Sequence, residues 1–251
     1  MDFNLTEQRL PSANEVYIRL FGKFKVENAS GCVTESAKAI KLWVLLKCLL
    51  VNQGRELSLD ELLDVLGEEE RSATAEATSR VRLNRLRSLL DPIGLGGKDG
   101  LITQYRLNYS LNPEYIIRTD ADEFDTLLSQ IREIPVDDPR GLALCGQALE
   151  LYQGNYLQYT DKDFWFENIQ EAYHKDFCEL AFDVVDRINI TGNSELLSLL
   201  SQRVLAFAGS NLQLHRAVLD CIGWFSTETA RKRYITQMMR SGYVADWLST
   251  L

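Results

Sequence analysis

The stretch from Thr74 to Leu90, TAEATSRVRLNRLRSLL, constrains this chain more than any other. Leu83, Leu86 and Leu90 recur at the three- and four-residue spacing of a buried helix face. Arg80, Arg82, Arg85 and Arg87 fall outside that stripe. A helix built this way must lie on a core with its guanidiniums outward. On a wheel of about 100° per residue, Ser79 joins the leucines. The opposite side carries Ala77, Val81, Asn84, Arg85 and Ser88, with Thr78 beside it. Arg80 and Arg87 flank that side on one edge and Arg82 on the other. This mixture suits a nucleic-acid groove. Arg85 matches a guanine, Asn84 an adenine, and Val81 a thymine methyl, while the flanking arginines match phosphates. The plain alternative is a solvated helix of a bundle, and the elements around the helix decide against it.

Charge is spread unevenly. The chain has 251 residues and a net charge of −9, enough length for one large domain or two smaller ones. Residues 15–112 hold 14 Lys/Arg against 13 Asp/Glu, whereas residues 113–251 hold 12 against 21. The near-neutral half contains the arginine helix. The acidic half fits a module that meets proteins and avoids phosphates. The five cysteines, Cys32, Cys48, Cys145, Cys178 and Cys221, include no CxxC pair, so a reducing compartment is expected. No run is apolar enough for a transmembrane helix, and MDFNLTEQRLPSANE has no signal-peptide core. A cytoplasmic protein without membrane contact is the expectation.

Residues 1–14 read as a flexible lead-in. VYIRLFGKFKVENASGCVT then shows short strands, with Val16, Ile18 and Leu20 alternating against Tyr17 and Arg19 and a turn at Asn28 to Gly31. Ser36 to Gln53 reads as a helix with Ser36 as N-cap and Gly54 as its stop. Ser58 caps the shorter helix LDELLDVL, with Glu61 at the capping-box position. The acidic loop Gly67–Glu70 leads to the arginine helix, which Asp91-Pro92 ends. After GLGGKDG, LITQYRLNYSL reads as two strands around a tight turn. From Arg118 on the pattern is helical, with six segments of repeat-like length joined by short polar loops.

Strands, three helices and a closing hairpin make a winged helix-turn-helix behind a small sheet. EVYIRLFGKFKV, AKAIKLWVLLKCLL, RELSLDELLDVL, RLNRLRSLL and LITQYRLNYSL together resemble the DNA-binding domain of OmpR-type regulators. LFGKF followed by that helix resembles the subgroup found in Streptomyces antibiotic regulatory proteins. DADEFDTLL, ALELYQGNYL, FWFENIQEAYHKDF and ARKRYITQMM resemble the bacterial transcriptional activator domain, a tetratricopeptide-like helical array. The expected fold is mainly α with small β elements: residues 15–112 form the winged helix and 113–251 the helical repeat domain. The resemblance implies a transcriptional activator that reads duplex DNA, associates with itself on repeated sites as a homodimer and recruits RNA polymerase. It places the groove-facing positions in the same helix, so the expected DNA contacts are Thr78, Arg80, Val81, Arg82, Asn84, Arg85 and Arg87. Relatives often carry a receiver or ATPase domain, and neither pattern is read here.

Two departures from the family pattern stand out. Its wing carries glycines before the tyrosine, where this chain reads Tyr105-Arg106-Leu107-Asn108-Tyr109. Asn108 is the residue expected to take a positive φ, leaving Arg106 to reach a minor-groove phosphate. In the loop after the second helix, Glu68, Glu69 and Glu70 are the candidates to meet RNA polymerase, against the plainer reading of a solvated acidic loop. Lys38 and Lys41 read as surface lysines near the first long helix.

No catalytic set is present. The two histidines, His174 and His215, lie in helical patterns and read as surface or core residues. GLGGKDG lacks the GK[ST] and flanking elements of a phosphate loop. Asp120, Asp122, Glu123 and Asp125 lack EF-hand spacing, and Asp120 reads as a helix cap. Phe164, Trp165, Phe166, Tyr173 and Phe177 read as core between paired helices, with a ligand pocket as the lesser reading. No enzyme, metal or cofactor is expected. The competing class is a helical-repeat adaptor whose winged helix packs against protein instead of DNA.

Overall fold

A computed structural model describes residues 14–66, 73–158 and 166–242. By contact density the chain divides into two compact units. Met1–Asp120 with Leu157–Phe166 forms one, and Ala121–Tyr156 with Glu167–Leu251 forms the other.

The first unit opens with strands β1 (Glu15–Arg19), β2 (Lys25–Asn28) and β3 (Gly31–Thr34). Val16, Ile18 and Val26 point into the core, as period-two alternation requires. The β2–β3 turn is an Asx turn, with the Ser30 N–H donating to Asn28 Oδ1 at 2.9 Å. A further strand, β7 (Ile116–Thr119), completes the sheet in the order β3-β2-β1-β7 and runs parallel to β1. This corrects the sequence expectation, which placed the helical pattern from Arg118 and the domain boundary after 112. Four residues are too few to show periodicity, and Ile116–Thr119 becomes a strand because β1 offers it an edge. The division falls at Asp120 instead.

Helix α1 (Ile40–Val51) is preceded by a 3-10 turn at Ala37–Ala39. Ser36 sits before that turn without a side-chain capping bond, so the regular helix starts later than Ser36 predicts. From Trp43 to Leu50 every residue of α1 is buried, Lys47 included. The Lys47 ammonium, 0% exposed, lies 3.0 Å from both Glu35 oxygens and 3.1 Å from the Gln158 carbonyl. Burial pulls its pKa down and Glu35 pulls it back up. Leu157, with φ 48, donates its N–H to the Leu20 carbonyl at 2.7 Å. The segment after the fifth helix therefore belongs to the first unit, contrary to the expected single boundary.

After β4 (Leu57–Ser58) comes α2 (Leu59–Val65) with the expected capping box: Ser58 Oγ accepts from the Glu61 N–H at 3.3 Å, and Glu61 Oε2 accepts from the Ser58 N–H at 2.7 Å. The Ser58 N–H and hydroxyl hold the Glu61 carboxyl below its usual range. Helix α3 (Ala73–Leu90) ends in a 3-10 turn at Asp91–Ile93. Strands β5 (Ile102–Tyr105) and β6 (Asn108–Leu111) form a hairpin, and β4 pairs with β6, giving the order β4-β6-β5. The glycines of GLGGKDG serve close packing: a Cβ on Gly100 would stand 2.1 Å from the Gly96 carbonyl oxygen.

The second unit is helical: α4 (Asp120–Glu133), α5 (Pro139–Leu151), α6 (Glu167–Thr191), α7 (Ser194–Phe207), α8 (Leu212–Phe225) and α9 (Glu228–Arg240). Side chains of Asp138, Asn193, Asn211 and Thr227 cap α5, α7, α8 and α9. Helix α7 packs on α5, α6, α8 and α9, and α6 also packs on α5 and α8, a layered array. Tyr152 stacks on Phe177 at 4.3 Å with Phe207 edge-on at 5.7 Å; of the expected aromatic set, Phe166 and Phe177 are buried and Tyr173 is half-buried. Arg187 is 1% exposed. It pairs with Asp183 at 2.7 Å and donates to the carbonyls of Ile131, Ile134, Pro135 and Val136. Gly141 leaves room for it: a Cβ there would lie 2.1 Å from Arg187 Nη1.

Candidate nucleic-acid interface

Four inward residues position α3. Ser79, Leu83, Leu86 and Leu90 are each no more than 1% exposed, on the spacing that the sequence shows. Helices α1 and α2 both pack on α3. The opposite face is open: Ala77, Thr78, Arg80, Val81, Asn84, Arg85 and Ser88 are exposed, and Arg82 is half-buried. Val81, at the centre of this face, is 49% exposed. From Ala77 to Leu90 the helix carries no carboxylate of its own.

Arg87 departs from expectation. It is 9% exposed, and its Nε donates to the Ile102 carbonyl of β5 at 3.2 Å. Its place at the edge of the wheel brings it under the hairpin, so it ties α3 to β5 instead of reaching outward. Tyr109 on β6 is 2% exposed. Burial raises its hydroxyl pKa, and the nearby Arg80 and Arg87 charges act against that.

The hairpin tip is corrected as well. Tyr105 pairs directly with Asn108, leaving Arg106 and Leu107 as the two turn residues. The positive φ falls on Arg106 (φ 55) and not on Asn108, which donates to Glu56 Oε2 at 3.0 Å. The Gln104 amide braces the turn through the Arg106 carbonyl at 2.8 Å. The Arg106 guanidinium lies 5.4 Å from the centre of the Tyr105 ring. Tyr105 and Leu107 are 63% and 53% exposed, so the tip presents one cation between two large apolar groups. Lys38 and Lys41 are exposed near the start of α1. Glu68, Glu69 and Glu70 lie outside the described residues, as do Phe164 and Trp165.

Other chemistry-bearing residues of the described parts are structural. The Asp120 carboxylate accepts from the N–H groups of Leu20 and Phe21 at 2.7 and 3.1 Å, more than the helix cap predicted from sequence. Asp125 accepts from the Tyr173 hydroxyl at 3.0 Å, and burial raises its pKa. His215 is 0% exposed, bonded to the Tyr234 hydroxyl at 2.9 Å and the Gly209 carbonyl at 3.0 Å. Burial pushes the thiols of Cys48 and Cys145 up to about 12, far from a thiolate nucleophile. Among the described residues no group of three His, Cys, Asp or Glu is placed to hold a metal ion. Nor is any helix among them long and apolar enough to cross a membrane.

Sequence motifs missed three anchors: Lys47 with Glu35, Arg187 with its carbonyl ring, and the inward turn of Arg87. A lone lysine within the apolar run of α1 was the available signal for the first.

No family model matches this chain, and no curated protein matches it. Among solved structures, it is similar to Mycobacterium tuberculosis EmbR in complex with a low-affinity phosphopeptide, at 17% identity and a TM-score of 0.51. The alignment covers 91% of this chain. The two share a fold. This chain spans 61% of that one's length, and an identity this low carries the fold alone.

Proposed function

We propose that this chain is a DNA-binding transcriptional regulator of the Streptomyces antibiotic regulatory type. In this reading its first unit is an OmpR-type winged helix-turn-helix, with α3 entering the major groove and the β5–β6 hairpin as the wing. The open face of α3 carries the reading: Val81, Asn84 and Arg85 stand exposed at its centre while Leu83, Leu86 and Leu90 are buried behind. Arg85 pairs bidentately with a guanine, Asn84 with an adenine, and Val81 meets a thymine methyl. Arg80, Arg82 and Thr78 hold phosphates, and Arg106 reaches the backbone beside the minor groove. The likeness to EmbR supports the same architecture. In this reading the acidic helical unit serves protein contacts, with RNA polymerase and with a second copy, and the chain acts in the cytoplasm as an activator. It needs no cofactor and catalyses no reaction.

A second reading rests on the hairpin tip. Tyr105 and Leu107, both more than half exposed, suit a protein partner as well as a sugar–phosphate backbone, which keeps the adaptor class in play. Salt response separates the two. Groove binding releases counterions and weakens steeply with salt, while an apolar contact does not. The deciding experiment is binding of the purified chain to genomic DNA fragments with a salt titration, beside Arg85→Ala and Arg82→Ala. The regulator reading expects site-selective, salt-sensitive binding and lost selectivity in Arg85→Ala. Binding no better than to a random duplex at low salt would overturn it in favour of the adaptor.

A further inference from the structure

The acidic unit contains one helix of opposite character. From residue 113 to residue 226 there are 8 Lys/Arg against 19 Asp/Glu, whereas α9 holds 4 against 1. Elsewhere in this unit Arg132, Arg140, Lys175 and Arg187 each lie within 3.5 Å of a carboxylate, while Arg203 donates to the Gln153 amide oxygen at 3.1 Å. On α9 only Lys232 has such a neighbour, Glu228 at 3.9 Å. Arg231, Arg233 and Arg240 have no ion-pair partner among the described residues.

Tyr234 and Met238 turn inward on α9, so its packing stripe is narrow and the rest is free to carry charge. Thr229, Lys232, Arg233, Thr236, Gln237 and Arg240 line one open groove along its outer face. These positions follow the helical spacing of a single exposed stripe. All six carry hydrogen-bond donor groups. None is a carboxylate and none is a large apolar group. A second groove continues from Gln237 and Arg240 to Gln202, Leu205 and Ala206 of α7, a helix whose one carboxylate is Glu195 in its first turn.

We propose that this face of α9 is a second, sequence-indifferent surface for the sugar–phosphate backbone of duplex DNA. The inference rests on the DNA-binding reading above. Protein interfaces are built around apolar and aromatic anchors; the six groove residues include none, and Met239 beside them is the one exposed large apolar side chain of α9. Phosphate oxygens accept from Arg, Lys, Thr and Gln without regard to sequence, which is the chemistry present. From Lys232 to Arg240 the axis advances about 12 Å, over which one strand of duplex carries about three phosphates. The overall charge of −9 does not forbid this contact, because exposed charges beyond about 8 Å are largely screened at physiological salt.

The test uses the full chain, with Lys232→Gln, Arg233→Gln and Arg240→Gln combined, against a selected genomic duplex and a random-sequence duplex. All three positions are exposed, and far-ultraviolet circular dichroism checks that the fold is kept. The triple variant is expected to lose affinity on both duplexes by the same factor. The slope of log K against log salt should become shallower by about 2–3, from a contribution of about 0.9 per phosphate. Its preference for the selected duplex stays intact. An unchanged slope would overturn the proposal. So would a polyglutamate peptide that outcompetes DNA for wild type and loses binding in the variant, because that would make the partner an acidic protein. Failure of the underlying DNA reading shows separately, as wild type without preference for any genomic fragment.

Discussion

Helices α3 and α9 are both arginine-bearing and one-sided, and they differ in what holds them and in what they show. Behind α3 lie Ser79, Leu83, Leu86 and Leu90, and Arg87 adds a bond to β5. Its outward face mixes Val81 and Asn84 with the arginines. Behind α9 lie Tyr234 and Met238, and the groove on its outward face is lined by hydrogen-bond donors, with Met239 exposed beside them. Reading a base edge needs apolar and bidentate groups held at fixed positions. Gripping a phosphate needs charge and little else. The two faces therefore divide selectivity from affinity, and the anchoring follows the same division.

The largest effect should come from removing that anchor. Leu86 is 0% exposed, and Leu86→Ala should lower stability by about 2–5 kcal/mol through lost burial and a cavity. Chemical denaturation measures it, and DNA binding should fall with the folded fraction. Val81→Ala, on the outward face, should change stability by less than about 0.5 kcal/mol. Its effect should appear as an altered base preference. Equal destabilisation by the two would show that α3 is not one-sided, and the comparison would fail.

Arg87 and Arg85 sharpen the same point on one helix. Arg87→Ala leaves the Ile102 carbonyl without its charged donor, so a stability loss of about 1.5–3 kcal/mol is expected. Arg85→Ala should leave the melting curve in place and reduce discrimination between cognate and mismatched sites by about 1–3 kcal/mol. Fluorescence-detected DNA titrations beside thermal melts separate the two. Should Arg87→Ala lose phosphate contacts without losing stability, the inward assignment of its guanidinium would be wrong.

This pair also shows where the sequence stops being legible. The leucine stripe of α3, the capping box of Ser58 and Glu61, and the helices of the second unit are local patterns, set by residues within a turn or two of each other. The burial of Arg87 is decided by β5, which returns fifteen residues later. The same holds for β7, which exists because β1 has an edge, and for Lys47, whose partners are Glu35 and a carbonyl 111 residues away. Arg187 is the clearest case. Its i,i+4 pair with Asp183 could be found from sequence, but its four carbonyl acceptors and the space left by Gly141 could not. On the candidate site, the wheel separated the buried face from the open one, and it failed where a neighbouring element closed over the edge.

Acid should act on α9 and spare α3. His215 on α8 bonds Tyr234 of α9. Its Nε2 faces the Gly209 carbonyl and must donate, so the neutral ring accepts from the Tyr234 hydroxyl at Nδ1. Burial lowers its pKa in the folded protein. The unfolded chain then binds the proton more readily, and stability rises with pH in this window. The contribution is full above the unfolded value of about 6.5 and is lost as pH falls from there toward the lowered folded value. Hydrogen exchange across this range should show α8 and α9 amides losing protection on acidification. His215→Gln should flatten that dependence, and an identical acid response in the variant would exclude His215 as its source.

The smallest effect belongs to the hairpin tip, where stability and binding should move in opposite directions. Arg106 sits at φ 55, a conformation that costs a residue with a Cβ about 1–2 kcal/mol. Glycine avoids that cost and gives back about 0.5–1 kcal/mol through the greater freedom of the unfolded chain. Arg106→Gly should therefore raise stability by about 0.5 kcal/mol. The same change removes the cation held over Tyr105. If the wing meets a phosphate, affinity should fall evenly across sequences and the salt slope should drop by about 1. Asn108 shows that the strain is not imposed by a missing alternative: an asparagine able to take the left-handed turn lies two positions on, and the Tyr105–Asn108 pairing keeps it in the strand. That pairing makes a two-residue loop, which requires a positive φ at its first residue, so the backbone cost on Arg106 follows from the hairpin register. A gain in stability with no loss of binding would leave the tip to a protein partner through Tyr105 and Leu107.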